Sequence, residues 1–277
     1  MLFRGIPVTR KLSPAMLLLF CCTVLHSTPV FHVSFDRSLK ADIAGGRKKP
    51  SVSGNPARVA GVSGTAIRIG AVDEYLVYPI KGNIDPAKGT ISLWVKPIGF
   101  APSDTKDAHS EAFDLFRLTP RSGGDEIRLM ISRSNLTDNQ RCYLYIQTAP
   151  VQSDGVGGGG DRIRAWGRLT AHPGKVVVPW EADDFKHVAA TWDFDDGRLA
   201  VYLDGKLLKA TTDQELKKKF NPDLPDNFQV GPYKGILWQA ADRETDPKRL
   251  VLDELKIFDR ALAADEIAAL AGVDVEE

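Results

Sequence analysis

Four stretches of this chain alternate apolar and polar residues one by one, and that period of two limits the folds open to it. In "VFHVSFD", Phe31, Val33 and Phe35 alternate with Val30, His32 and Ser34. "TISLWVKP" sets Ile91, Leu93 and Val95 on one face, and "EIRLMISR" does the same with Ile127, Leu129 and Ile131. "RLAVYLDGKLLKA" adds Leu199, Val201 and Leu203. Such alternation predicts strands with one buried face. Asp204-Gly205 predicts a hairpin turn, because both residues tolerate positive φ. "WDFDDG", from Trp192 to Gly197, reads as another turn between strands. Trp94 and Trp192 fall inside strand motifs and read as core. A single helix is legible, in "ALAADEIAALAG". There Leu262, Ile267 and Leu270 follow helical spacing, Asp265 and Glu266 suit the first turn, and Gly272 ends it. Many short strands with one late helix predict an all-β sandwich or barrel.

The N-terminus reads differently. Arg4, Arg10 and Lys11 precede an apolar segment from Ala15 to Leu25. That is the layout of a secretory signal, with cleavage near Ser27. A membrane span needs about 20 apolar residues, so this segment is short for one, and no later segment predicts one. Lipidation at Cys21 is the lesser alternative, because Phe20 is bulky for the position before such a cysteine. The expected division is a signal over 1–27 and one domain over 28–277. Cys142 is then the sole mature cysteine and reads as a small buried hydrophobe rather than a reactive thiol. The 36 basic and 36 acidic residues balance, which argues against a nucleic-acid partner. "VGGGG", residues 156–160, has no lysine or helix pattern after it and is no phosphate cradle.

Three longer pieces carry a resemblance: "GTISLWVKP", "FKHVAATWDFDDGRLAVYLDGKLL" and "LDELKIFDRALAADEIAAL". With "DIAGG" and "GVSGTAIRIGAVDEYLVYP" before them, the order and spacing resemble the laminin-G-like branch of the concanavalin A-like lectin/glucanase superfamily. The likeness covers about residues 31–271. It implies a jelly-roll sandwich of two antiparallel sheets, one concave, with one short C-terminal helix. It also makes His187 structural. A shared fold does not by itself bring a shared activity.

Two adjacent acids, Asp253 and Glu254, sit in the apolar run "RLVLDELKIFDR". Strict alternation puts Asp253 on one face with Val251, Leu255 and Ile257, and Glu254 on the other with Lys256. Two acids on opposite faces cannot flank one glycosidic bond. A glycosidase of the resembled superfamily would carry acids at alternate positions of one strand, and neither face of this strand has them. Glu181 and Asp183 are followed by Phe185 where a third acid would stand. The histidines show no metal-ligand spacing, and there is no nucleophile-elbow pattern. An acid beside apolar groups must be hydrogen-bonded, paired or metal-bound. Asp253 either holds backbone amides or, as the resemblance implies, binds a structural calcium with Asp36 as a weaker companion.

The aromatics suggest a ligand. Trp166, Trp180, Tyr233 and Trp238 lie near segments rich in Gly, Pro and charge. Aromatic rings stack on the C–H faces of sugars, although each ring alone could equally pack on the sandwich edge. The expected function is a secreted or cell-envelope binding module without catalysis, for glycan or an extracellular protein. The alternatives are a polysaccharide hydrolase or lyase on the same fold, and a purely structural or adhesive module.

Overall fold

The computed structural model describes residues 27–69, 74–98, 111–118, 126–134, 139–148, 163–168, 184–212, 226–231 and 249–273. Five strands come first: β1 (Phe31–Val33), β2 (Ile43–Ala44), β3 (Ser51–Ser53), β4 (Ala57–Ala60) and β5 (Thr65–Ile69). Then follow β6 (Tyr75–Pro79), β7 (Lys88–Ile98), β8 (Glu111–Leu118), β9 (Glu126–Ser134), β10 (Asn139–Thr148) and β11 (Ile163–Arg168). The last five are β12 (Lys186–Asp193), β13 (Arg198–Leu203), β14 (Lys206–Thr212), β15 (Asn227–Val230) and β16 (Arg249–Phe258). A short helix, Ala264–Leu270, follows them.

The strands form two antiparallel sheets. One runs β14-β13-β12-β7-β16-β1-β2, with β5 also on β16 and β4 on β5; the other runs β11-β10-β9-β8-β15-β6-β3. The expected sandwich with one C-terminal helix is what folds. No described helix is long and apolar enough to cross a membrane. The alternating positions meet between the sheets: Phe31, Val33 and Phe35 with Ile91, Leu93, Val95, Leu199 and Val201 from one, and Ile127, Leu129 and Ile131 from the other. Four rings bridge the layers at this core. Phe31 meets Tyr78 at 5.0 Å and Phe228 at 5.4 Å between centroids, and Phe116 meets Phe228 at 5.5 Å. Each such pair adds about 0.5–1.5 kcal/mol beyond its area burial. Tyr78 donates its hydroxyl to the Leu39 carbonyl at 2.7 Å, and burial pushes its phenol above the usual range.

Both predicted turns form. Asp204 and Gly205 take φ of 47° and 74° between β13 and β14. Gly197, at φ 62°, ends the link from β12 to β13. The helix closes with Gly272 at φ 69°. It lays Ile267 against Ala189, Ala200, Tyr202 and Phe258 on the outer face of the first sheet.

β16 is the spine of that sheet. Its first half pairs with β5 and its second half with β1, while β7 lines its other edge. A β-bulge separates the halves. Asp253 stands opposite Trp94 and Lys256 opposite Ser92, so Glu254 and Leu255 together face Leu93. Glu254 adopts φ 51° to make this possible. The extra residue reverses side-chain parity. Leu250 and Leu252 enter the core before the bulge, and Leu255 and Ile257 after it. This corrects two expectations from strict alternation. Asp253 does not share a face with Leu255 and Ile257, and Asp253 and Glu254 do not point to opposite faces. Both acids lie on the outer side of the sheet.

Trp94 is also corrected. Trp192 is fully buried in the core, as expected. Trp94 sits between core residues Leu93 and Val95, and so takes the outer face, where it is half-buried.

Candidate functional site

Around the bulge, the outer face of the first sheet gathers polar side chains beside Trp94. Successive strands contribute a row there: His187 of β12, Trp94 of β7 and Asp253 of β16 are neighbours in register. The next row is Ala189, Ser92, Lys256 and His32. Alternation places these side chains together because their chain neighbours fill the core.

Asp253 is fully buried. Its Oδ2 accepts the amides of Val62 at 2.8 Å and Ser63 at 3.2 Å, and its Oδ1 accepts the Glu254 amide at 2.9 Å. Burial pushes its carboxyl up to about 6, while those amides pull it down. Asp36 reaches the same turn, with Oδ1 accepting the Thr65 amide at 2.8 Å. The two candidate metal ligands therefore do converge, on the link between β4 and β5. Calcium takes about six to eight oxygens. Here the groups facing Asp253 are amide hydrogens, whose positive ends suit a carboxylate and leave few lone pairs for a cation. Among the described residues no three acids, histidines or cysteines gather as a metal-ion set. Calcium at Asp253 and Asp36 thus stands as a proposal that competes with an amide clamp.

Glu254 makes a separate group. Its Oε2 meets His32 Nε2 at 3.0 Å and Lys256 Nζ at 2.9 Å. The His32 hydrogen bond, with help from Lys256, holds its carboxyl down at about 2. His187 is buried, and its Nε2 lies 2.8 Å from Ser92 Oγ. Burial, and the nearby Lys256 charge, push its imidazole down to about 4, so it is neutral at pH 7. Its Nδ1 meets no hydrogen-bond partner among the described residues, so no acid completes a triad with Ser92. Both carboxylates of the bulge are engaged: Asp253 is fully buried against amides, and Glu254 is paired with His32 and Lys256.

At the end of the face away from the helix, the chemistry changes. Trp94 lies 5.4 Å from the His187 ring and stays partly open to solvent. Lys96, two residues on, holds its ammonium over the Phe185 ring at 5.2 Å from the centroid. Arg68 of β5 and Lys96 of β7 flank Val251 of β16 in register. Neither Arg68 nor Lys96 was singled out from sequence, and Trp94 was read as core. The signal for Trp94 was present, since Ile91, Leu93 and Val95 on one face leave Trp94 on the other. The aromatics that were singled out are not assembled by the described residues. Trp166 lies in β11 opposite Tyr145, with its side chain outside the description. Trp180, Tyr233 and Trp238 lie outside the described residues. So do the signal segment before Ser27, the "VGGGG" stretch, and Glu181 with Asp183.

Residues 70–268 match the Laminin_G_3 family model of the concanavalin A-like lectin/glucanases superfamily. The chain belongs to that family. No curated protein sequence matches it. Among solved structures, this superfamily member is similar to the binding domain of Paraclostridial Mosquitocidal Protein 1, with TM-score 0.58 and 17% identity. That likeness covers 88% of this chain and 51% of the other. It is also similar to domain 4 of AbnA, a GH43 extracellular arabinanase from Geobacillus stearothermophilus, solved in complex with arabinotriose. There the TM-score is 0.55 and the identity 18%, over 88% of this chain and 98% of that one. A third is the botulinum neurotoxin serotype D ligand binding domain in complex with N-acetylneuraminic acid. Its TM-score is 0.56 and its identity 13%, over 88% of this chain and 50% of that one. The chain spans about half the length of the toxin domains. Identities this low establish the sandwich fold that the superfamily match also gives.

Proposed function

We propose that this protein is a binding module without catalysis, and that its ligand is a glycan. The observation that carries the reading is the occupation of the acids. Asp253 holds three backbone amides, and Glu254 is paired with His32 and Lys256. Two-carboxylate hydrolysis needs one acid able to deliver a proton and a second free to attack or activate water. This strand supplies neither. The neighbours give support of a second kind, since the arabinanase domain was solved with arabinotriose and the neurotoxin domain with N-acetylneuraminic acid. A ligand class shared by dissimilar sequences on one fold is a reason to test that class first.

Secretion belongs to the same reading. Residues 1–27 act as a signal, and a binding module for extracellular glycan has its work outside the cell. N-terminal sequencing of exported protein should begin near Thr28. Recovery of Met1, or of a lipid on Cys21, would remove this part of the proposal. The function itself is tested on a glycan array, with reducing-sugar release measured in parallel. Binding without release is the expected result. Release from a bound glycan would move the protein to the hydrolase or lyase alternative. Retention of an extracellular protein with no glycan binding would favour an adhesive module.

A further inference from the structure

We propose that Arg68, Lys96 and Trp94 form a site for a carboxylate-bearing glycan, a chain of uronic acids, on the outer face of the first sheet. The inference rests on the glycan reading above and adds the class of sugar.

The face is divided by the helix. Ile267 and Leu262 cover its Phe258 end. The opposite end carries Arg68, Val251, Lys96 and Trp94 on three adjacent strands. The register places Arg68 and Lys96 two strand spacings apart, roughly 10 Å between backbones. Trp94 follows Lys96 on the same face at the next alternate position.

Charge picks the occupant. The ion pairs among the described residues are His32 and Lys256 with Glu254, Lys186 with Asp204, and Arg260 with Glu266. Arg68 and Lys96 are in none of them. The Nε of Arg68 is buried and meets no hydrogen-bond acceptor among the described residues. That atom has no open surface, so a ligand carboxylate would meet the terminal guanidinium nitrogens instead. The planar guanidinium matches a carboxylate with two parallel N–H donors, which a neutral sugar cannot use as well. Lys96, held over Phe185, supplies a second positive charge. Trp94 offers a partly open ring for the C–H face of the pyranose. The two acids of the bulge are both engaged: Asp253 is buried against amides, and Glu254 is paired with His32 and Lys256.

The test is titration calorimetry of the whole protein with oligogalacturonate, its methyl-esterified counterpart, a neutral arabino-oligosaccharide and sulfated dextran. Oligogalacturonate should bind best, and more weakly as salt rises. Arg68→Gln should weaken it by about tenfold or more, and Lys96→Gln and Trp94→Ala should each weaken it by several-fold. Unchanged melting temperatures in Arg68→Gln and Lys96→Gln show that the fold is intact. Equal affinity for the methyl ester, or for sulfated dextran, would overturn the carboxylate assignment. A neutral glycan that binds wild type, Arg68→Gln and Lys96→Gln alike would overturn this site while leaving the glycan function standing. No binding to any sugar on the array or in the calorimeter would remove both.

Discussion

Asp36 and Asp253, 217 positions apart in the chain, hold one turn between them. Asp253 Oδ2 takes the amides of Val62 and Ser63, and Asp36 Oδ1 takes that of Thr65. The turn leaves no room for larger residues beside these acids. A Cβ on Gly61 would lie 2.3 Å from Asp253 Oδ2, and one on Gly64 would lie 2.1 Å from Asp36 Oδ1. Gly64 also has φ +68°. The β4–β5 hairpin is thereby tied to β16, the last strand of the sheet.

Asp253→Ala should therefore destabilise the protein by about 1–3 kcal/mol, the usual cost of leaving buried donors without an acceptor. Gly61→Ala should be destabilising as well, since it displaces the same carboxylate. Thermal melts with excess calcium and with chelator separate the clamp from a metal site. If wild type and Asp253→Ala are equally indifferent to calcium, the clamp stands alone. A calcium-dependent rise in wild type that vanishes in Asp253→Ala would establish the metal, because a ligand bound only to the folded state stabilises by mass action.

Glu254 gives a test of the bulge that does not depend on its ion pair. Its φ is 51°, where glycine is at ease and a β-branched residue is not. Glu254→Gly and Glu254→Val both lose the contacts to His32 and Lys256. Their difference in stability then reports the backbone, and Glu254→Val should be the weaker by about 1–2 kcal/mol. Equal denaturant midpoints would mean that the strand can run without the left-handed residue.

This bulge also marks the limit of what could be read from sequence. Period-two alternation found the core faces of β1, β7, β9 and β13, because burial of one face demands it of every residue in a regular strand. It failed at β16, where one inserted residue shifts every later side chain to the other face. Nothing in "LDELKIF" announces the shift, since the residue in the left-handed conformation is a glutamate rather than a glycine. The convergence of Asp36 on the turn held by Asp253 was legible only through the family resemblance. Arg68 and Lys96 were not legible at all, because their proximity arises from pairing of β5, β16 and β7 across 183 and 155 positions of sequence. Trp94 was read by its type, as a core residue, when its parity already placed it outside.

Gly89 should tolerate no side chain. A Cβ there would stand 2.6 Å from Cζ2 of Trp192 and 3.0 Å from the Phe258 carbonyl oxygen. Trp192 cannot retreat easily, as it is fully buried and its indole donates to the Pro86 carbonyl at 3.1 Å. Overpacking of this kind costs about 1–3 kcal/mol. Gly89→Ala should lower the denaturant midpoint by that amount without changing the glycan profile. A variant as stable as wild type would show that the indole has room to move.

His187 and Asp253 flank Trp94 in register, and they should pull stability in opposite directions with pH. Burial raises Asp253 from 3.8 to about 6. Its contribution is full below 3.8 and is lost as pH rises through 6, where the buried carboxyl must ionise. Burial, with Lys256 nearby, lowers His187 from 6.5 to about 4. Its contribution is full above 6.5 and is lost as pH falls through 4, where the buried ring must take a proton. Over the shared window the folded state holds one proton more at Asp253 and one fewer at His187, so their slopes cancel in wild type. Each variant should expose the other residue. In Asp253→Asn, stability should fall on acidification between about pH 6.5 and 4, following His187 alone. In His187→Gln, it should rise over the same range, following Asp253 alone. Urea unfolding at several pH values in this window measures both slopes. A flat profile in His187→Gln over this window, with stability lost only as pH falls below about 3.8, would show that the amides of Val62, Ser63 and Glu254 outweigh burial at Asp253. The carboxylate would then be the stabilising form, and the clamp would strengthen rather than weaken as pH rises.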